Sequence, residues 1–205
     1  VGTPGTPALL EEAYKKWGKT EWSLLFEDAI NLSNNGFVIS NKLSSSIKKS
    51  KKSLSKFLKT KSYFLPNGMP LKSGEIHFNK NYANTLKAFE KKGSKVFYNG
   101  YIATDIVSTV NNANHNPGVL SIKDMINYKV IEKKPICSNY KGYEVCGMGP
   151  PSSGAITIAQ ILGMIENFDI SKLGPKNPET WRIIGDASRL AFADRSIYIA
   201  DSDFK

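Results

Sequence analysis

The chain has 205 residues, of which 40% are hydrophobic and 22% charged. This composition is typical of a globular domain. No apolar run approaches the roughly 20 residues of a membrane-spanning helix. The net charge is +10, carried by 25 lysines and three arginines. The chain has no initiator Met, and we expect it to be a piece of a longer protein.

Nine of the lysines lie between Asp28 and Glu75, a span without any acidic residue. A surface that binds nucleic acid or another polyanion is one interpretation of this span. However, bidentate recognition of phosphate or guanine favours Arg, and the lysines at 42–61 alternate with Ser rather than with aromatic residues. The other interpretation is the solvated face of a helix.

The first third of the chain predicts three helices, at about 8–18, 21–35 and 41–60. Gly18 stands where a left-handed C-cap would end the first helix. Apolar spacing predicts that each of the other two buries one stripe. The residues predicted to face inward are Leu24, Leu25, Ala29 and Leu32, then Leu43, Ile47, Leu54, Phe57 and Leu58.

The middle of the chain begins with an extended piece at 74–78. A helix over 80–92 follows and ends at Gly93, and another is predicted at about 100–113. Ser121 and Asp124 have the spacing of a capping box, which predicts a short helix ending near Tyr128.

A β-hairpin is predicted next, with strands at 130–140 and 143–148. The loop Lys141-Gly142 suits a tight primed turn, and it places Cys137 opposite Cys146. Paired Cα atoms lie ~4.5–5.5 Å apart in such a position, a distance compatible with a disulfide. Two reduced thiols that fill a core are the alternative, because a disulfide requires an oxidising compartment.

The most informative stretch is the corner Gly149-Pro150-Pro151-Ser152-Ser153-Gly154. Two prolines cannot extend a strand, and either Ser152 or Ser153 can cap the helix that follows. That helix is predicted to bury one apolar stripe. The stripe consists of Ile158, Ile161, Leu162, Ile165 and Phe168.

The last predicted helix begins at Asn177, with Pro178 at its first position. Its inner stripe is predicted to be Ile183, Ala187, Leu190 and Ala191. Asp194 falls on the same stripe beside Arg195, where a carboxylate needs a cationic or N–H partner. A structural ion pair or cap is one interpretation of Asp194, and a catalytic carboxylate is the other.

No complete catalytic or metal-binding motif is present. The two histidines, His77 and His115, are far apart in sequence, and neither zinc-type nor phosphate-loop spacing occurs. Ser152 and Ser153 do not have the Gly-x-Ser-x-Gly spacing of a nucleophile elbow. We therefore predict no metal and no cofactor.

Four motifs resemble the large subunit of the γ-glutamyltranspeptidase family, in that family's order. They are Val1-Gly-Thr-Pro-Gly-Thr6, Tyr140-Lys-Gly-Tyr143, the stretch from Pro150 to Asp169, and Ala193-Asp-Arg195 with Asp201-Ser-Asp-Phe204. The chain departs from the family pattern at several scaffold positions, including Gly149 and Ala155. A non-catalytic divergent homologue is therefore an alternative, as is a Lys-rich polyanion-binding module.

The resemblance implies an N-terminal-nucleophile hydrolase of αββα fold that cleaves itself. Such an enzyme transfers the γ-glutamyl group of glutathione to amino acids, peptides or water through a γ-glutamyl-threonine ester. It implies that the nucleophilic Thr lies downstream of this chain and the carboxylate-binding Arg upstream. No catalytic or substrate-binding residue is therefore assigned here.

The expected fold is α+β and mainly helical, with one antiparallel hairpin packed on helices. We expect 1–205 to form a single region, helical over about 1–128, with the hairpin at 129–148 and the corner plus two helices at 149–205. Pro150, Pro151, Ser152, Ser153, Gly154, Asp194 and Arg195 are its structural motif. The expected partners are the small, nucleophile-bearing subunit of the same precursor and a glutathione-type substrate, in a periplasmic or secreted protein. We expect no specific nucleic-acid partner.

Overall fold

The computed structural model describes residues 2–203, so Val1 of the first family motif and Phe204 of the last lie outside the described residues. Helices dominate, accompanied by two small antiparallel strand pairs, which confirms the expected fold class. The described part of the chain divides into two compact units, one up to Val130 and one from Ile131. That 1–205 forms a single region stays a prediction.

The first unit contains nine α-helices among its described residues. Their bounds are α1 Thr6–Trp17, α2 Leu24–Asn35, α3 Asn41–Lys49, α4 Lys51–Leu54, α5 Leu58–Phe64, α6 Lys80–Lys92, α7 Lys95–Tyr98, α8 Tyr101–Asn111 and α9 Ile122–Ile126. The extended piece predicted at 74–78 contains β2 (Ile76–His77), which pairs with β1 (Phe37–Val38). The sequence analysis did not predict β1 or the short helix α7.

Two clusters of buried side chains form the core of this unit. The first consists of Ile39, Ile47, Leu65 and Leu71, and the second of Tyr98, Ala103, Leu120 and Met125. Tyr98 also anchors the start of the chain, because its hydroxyl donates to the carbonyl of Pro4 (2.8 Å) and accepts the N–H of Ala8 (3.2 Å).

The inward face predicted for α2 is wrong. Leu24, Leu25 and Leu32 are each more than half exposed, whereas Phe26 is buried. Phe26 packs edge-on against Trp22 and Phe89, with ring centroids 4.8 and 5.3 Å apart. These aromatic contacts rotate the helix away from its leucine stripe, since aromatic rings bury more area than a leucine does.

The single helix predicted at 41–60 is three helices, α3 to α5. The chain leaves helical geometry at Ser50 and again at Phe57, which is extended (φ −117°). Of the stripe predicted for it, Ile47 is buried and Leu43 and Leu54 are half-buried, but Phe57 and Leu58 are exposed. Gly18 also differs from prediction, because it is extended (φ −62°) and not left-handed.

The second unit contains the hairpin and three helices. Its elements are β3 Ile136–Tyr140, β4 Tyr143–Gly147, α10 Gly154–Ile165, α11 Ile170–Leu173 and α12 Pro178–Tyr198. The predicted register is confirmed, with Cys137 opposite Cys146. Lys141 and Gly142 both have positive φ (47° and 84°), as the predicted primed turn requires. The cysteines form a disulfide, not two free thiols.

The core of the second unit lies between α10 and α12. Ile165, Ile183 and Ala187 are buried there, and Ala191 is buried one turn further along α12. Three predicted stripe positions are wrong for the described residues, because Leu190 is 62%, Ile158 48% and Phe168 46% exposed. The N-cap of α12 is confirmed, since the Asn177 Oδ1 atom accepts the N–H of Glu179 at 2.9 Å.

Candidate functional site

The proline corner joins the end of β4 to the start of α10. The N–H of Ser152 donates to the carbonyl of Gly149 (3.0 Å), and the Pro150–Pro151 peptide bond is cis. From the start of the second unit, the Lys133 ammonium donates to the carbonyl of Pro150 (2.9 Å). Two interactions therefore stabilise the corner, the hydrogen bond from Ser152 to Gly149 within it and the hydrogen bond from Lys133 to Pro150.

Gly147 and Gly149 allow the backbone of the corner to pack closely on its neighbours. A Cβ atom at Gly149 would lie 2.7 Å from the Ile136 side chain, and one at Gly147 would lie 3.2 Å from the Cβ atom of Ala155. A larger residue at Gly149 would therefore displace the Ile136 side chain, and one at Gly147 would press on Ala155 at the start of α10. The corner fixes where α10 begins relative to the hairpin.

The two serines of the corner have different roles. The Ser152 hydroxyl accepts the N–H of Gly154 at 3.3 Å, so it contributes the side-chain bond predicted for one of the pair. Ser153 occupies the N-cap position, but its side chain makes no capping bond. Instead, the Ser153 Oγ atom accepts a hydrogen bond from Nε of Arg195 at 3.0 Å.

This geometry also bears on nucleophilic chemistry. A serine nucleophile needs a neighbouring base that takes its proton, and a guanidinium group cannot accept one. Arg195 therefore positions the Ser153 hydroxyl without activating it. The contact ties the N-terminus of α10 to the last turns of α12, which sequence alone did not predict.

Asp194 binds a different partner from its neighbour Arg195. Its Oδ2 atom accepts a hydrogen bond from the side-chain amide of Gln160, at 2.9 Å. The sequence predicts a cationic or N–H partner for Asp194 but does not identify Gln160, which lies 34 positions earlier. Arg195 and Asp194 thus link α12 to α10 at two points, about two helical turns apart along α10.

A shallow depression of about 490 Å³ lies beside the Asp194–Gln160 bond. Met164, Asn167 and Leu190 line it together with small residues of both helices. The lining mixes an exposed apolar side chain with polar groups. It is an open surface between α10 and α12, and not an enclosed reaction cavity.

The remaining candidates for chemistry lie outside this region. In the first unit, His77 packs against the ring of Tyr63 (centroids 4.4 Å apart), and burial lowers the pKa of His77. Among residues 2–203, one group brings three metal-ligating atoms within 4.8 Å, namely Cys137, Glu144 and Cys146. Both sulfurs of that group are bonded to each other, so neither is a thiolate ligand.

The family of the chain is decided by comparison with known proteins. The model of the Gamma-glutamyltranspeptidase family matches residues 1–205. The chain belongs to this family. The resemblance carried by its four motifs is confirmed.

Individual relatives agree with that assignment. The chain is 36% identical to the glutathione hydrolase proenzyme of Escherichia coli (strain K12), over 99% of this chain and 35% of that protein. It is 31% identical to an acylase ACY 1 proenzyme of Pseudomonas sp. (strain V22), over 100% of this chain and 36% of that protein. The chain therefore spans about a third of the length of these curated relatives.

A solved structure of the family has the same fold. The crystal structure of Helicobacter pylori γ-glutamyltranspeptidase superimposes with a TM-score of 0.92 at 34% identity. The match covers 100% of this chain and 58% of that chain.

No helix within residues 2–203 is long and apolar enough to cross a bilayer.

Proposed function

We propose that this chain is the scaffold part of an enzyme that transfers the γ-glutamyl group of glutathione to amino acids, peptides or water. The observation that carries the proposal is the family match over residues 1–205, together with 36% identity to a protein named glutathione hydrolase. In this proposal the reaction passes through a γ-glutamyl ester of a threonine on another part of the same precursor. The chain itself supplies no nucleophile.

Exposed apolar side chains of the second unit support the proposal that another subunit covers part of its surface. Large apolar side chains are exposed along α12, where Leu190 is 62%, Phe192 58% and Tyr198 77% accessible. Leu190 and Tyr198, eight residues apart, lie on the same side of α12, and exposed apolar side chains that share one face mark an interaction site. We infer that the nucleophile-bearing subunit of the same precursor covers it, since two relatives are named proenzymes.

The disulfide supports a location outside the reducing cytosol. Disulfides persist in oxidising compartments such as the periplasm or the extracellular space. The Cys137–Cys146 bond lies on an exposed hairpin that a reducing environment would reach easily. We therefore propose a periplasmic or secreted protein.

The test is a comparison of the whole open-reading-frame product with the 205-residue chain. Each is purified and assayed for release of the chromophore from a γ-glutamyl anilide, with and without a dipeptide acceptor. We expect activity in the whole product alone, because the chain lacks the nucleophile. Turnover by the 205-residue chain would contradict the scaffold role.

A second assay separates the enzymatic proposal from a non-catalytic homologue. The whole product is incubated, and its cleavage into two polypeptides is followed by gel electrophoresis. Cleavage with activity on the γ-glutamyl anilide supports the proposal. Cleavage with activity only on other acyl amides would instead indicate an acylase, as one relative is named. An uncleaved, inactive product would support the non-catalytic alternative.

A further inference from the structure

The strongest charge asymmetry of the described residues lies in the segment Asn41–Phe64, which comprises α3, α4 and α5. It contains eight lysines and no acidic residue. All eight are exposed: Lys42, Lys48, Lys49, Lys51, Lys52, Lys56, Lys59 and Lys61. We call the surface formed by these eight side chains the basic face.

The basic face is almost unneutralised. Within residues 2–203, Lys59 is the one member with an acidic partner, Asp105, at 3.0 Å. Both side chains of that pair are mostly exposed, so water and salt screen the contact. A high local positive potential therefore remains around this segment.

Two large apolar side chains of the same segment are also exposed. Leu58 is 80% exposed and Phe57 is 41% exposed, and they stand between Lys56 and Lys59. The edge of the Phe57 ring meets His115, with centroids 6.2 Å apart, whereas the other apolar residues of the segment pack inward. Phe57 and Leu58, which we call the apolar tip, are not needed for the core.

The segment is also firmly anchored beneath this surface. Ile47 and Leu65 are buried in the first core cluster, and Leu43, Leu54 and Phe64 pack against it. The Ser44 hydroxyl adds a bond to the carbonyl of Leu71 at 2.8 Å. The basic face and the apolar tip are therefore presented by a packed support.

We propose that the basic face and the apolar tip bind the surface of an anionic phospholipid bilayer. Lysines near such a surface each gain electrostatic attraction to acidic head groups, and their aliphatic stems reach along the interface. An exposed leucine beside a phenylalanine can enter the boundary between head groups and acyl chains. This inference does not depend on the proposed enzymatic function.

The same features fit a nucleic acid less well. The segment contains no arginine, since all three arginines of the chain lie at or beyond position 182 in the sequence, and lysine does not form the bidentate fork that reads phosphate or guanine. Of the apolar tip, the Phe57 ring is 41% exposed and already contacts His115, and Leu58 has no flat face on which a base could stack. In this proposal a bilayer supplies the apolar environment for the exposed Leu58 side chain.

The experiment uses the whole open-reading-frame product and vesicle sedimentation. Vesicles of pure phosphatidylcholine are compared with vesicles that contain about one third phosphatidylglycerol, at near-physiological salt. We expect binding to the anionic vesicles at least tenfold tighter than to the neutral ones. Binding that is equal for both, or absent, would overturn the proposal.

Two variants separate the electrostatic and the apolar contributions. Lys51→Glu with Lys52→Glu is expected to weaken binding to anionic vesicles by more than tenfold, because each lysine near the surface contributes attraction. The matched control is Lys91→Glu with Lys92→Glu, which makes the same charge change at the exposed end of α6. The control is expected to keep affinity within about threefold of the unmodified protein, since screening limits distant charges.

Leu58→Ser distinguishes a bilayer from a purely charged partner. We expect it to weaken vesicle binding roughly tenfold, because moving a leucine side chain from water into the bilayer contributes a favourable free energy of binding. It should leave retention on heparin and on duplex DNA unchanged. If Leu58→Ser does not alter vesicle binding, or if the two double variants behave alike, the proposal is wrong. Tighter binding to duplex DNA than to vesicles would instead indicate a nucleic-acid surface.

Discussion

Glu11 shows how a single side chain can join two helices of the first unit. Its Oε2 atom accepts the N–H of Ser94 at 2.8 Å, just before α7 begins, and Lys15 lies 3.5 Å from its other oxygen. Gly93 makes this approach possible, because a Cβ atom there would lie 2.7 Å from Glu11. Gly93 also has φ +67°, which glycine adopts without strain, and it ends α6 at the position predicted from the sequence.

A pH-dependent contribution to stability follows from this contact. Burial raises the pKa of Glu11. Hydrogen bonds from Ser94 and the charge of Lys15 lower it by more than burial raises it, so the pKa of Glu11 lies below its ordinary value. A carboxylate with a lowered folded-state pKa stabilises the fold above its unfolded pKa of roughly 4.3. That stabilisation is lost as the pH falls through the folded-state pKa.

We therefore predict that Glu11→Gln lowers the urea midpoint of the chain at pH 6. The gap between the urea midpoints of variant and unmodified chain should narrow as the pH falls through the lowered pKa of Glu11, because protonation leaves a neutral group at position 11 in both. The amide can still accept the N–H of Ser94, so the comparison isolates the charge. A gap of constant size across this pH range would contradict the assigned cause.

Local chemistry was predictable from the sequence wherever the partners lie within a few residues. The capping box of Ser121 and Asp124 forms as predicted, with both hydrogen bonds present. The partners of Asp194 and Ser153 were not predictable, because Gln160 and Arg195 lie 34 and 42 positions away. Which long-range partner a polar group finds depends on how helices pack, and residue type alone does not fix that.

At the scale of elements, the hairpin was the most accurately predicted part of the fold. Its loop of two residues permits one register, which brings Cys137 and Cys146 together with Cα atoms 4.1 Å apart. Helices were harder to orient, since α2 offers both a leucine stripe and an aromatic face to its neighbours. Contacts with Trp22 and Phe89 decide between them, and these cannot be read from the spacing within α2.

The disulfide should stabilise the chain measurably. It closes a loop of about ten residues, for which loop-closure entropy gives roughly 2–3 kcal/mol. We predict that Cys137→Ala with Cys146→Ala lowers the free energy of unfolding by about this amount. The unmodified chain with excess reductant is the matched control and should fall to the same stability. Two titratable thiols in the unfolded, unreduced chain would show that the bond does not form.

At the scale of the whole molecule, the predictions from sequence were least accurate for apolar side chains that were expected to be buried and are exposed. The stripe of α12 was predicted to face inward throughout, yet Ile183 is 6% and Leu190 62% exposed. Helical spacing indicates that a face is apolar but not which protein surface covers it. In the proposed function, part of this stripe packs within the chain and part packs against the nucleophile-bearing subunit.

This division predicts opposite behaviour for two substitutions on the same helix. Ile183→Ala should lower the free energy of unfolding of the 205-residue chain by roughly 2–4 kcal/mol, because it removes a buried side chain. Leu190→Ser should change that stability by less than about 0.5 kcal/mol, as is usual for an exposed position.

In the whole open-reading-frame product the order should change, because there the proposal buries Leu190 against the partner subunit. Leu190→Ser is then expected to reduce the yield of cleaved, active enzyme several-fold, although the chain alone tolerates it. The measurements are urea unfolding of the chain and the fraction of whole product cleaved after purification. If Leu190→Ser leaves cleavage and activity intact, this part of α12 faces solvent in the whole protein as well, and the partner subunit must bind elsewhere.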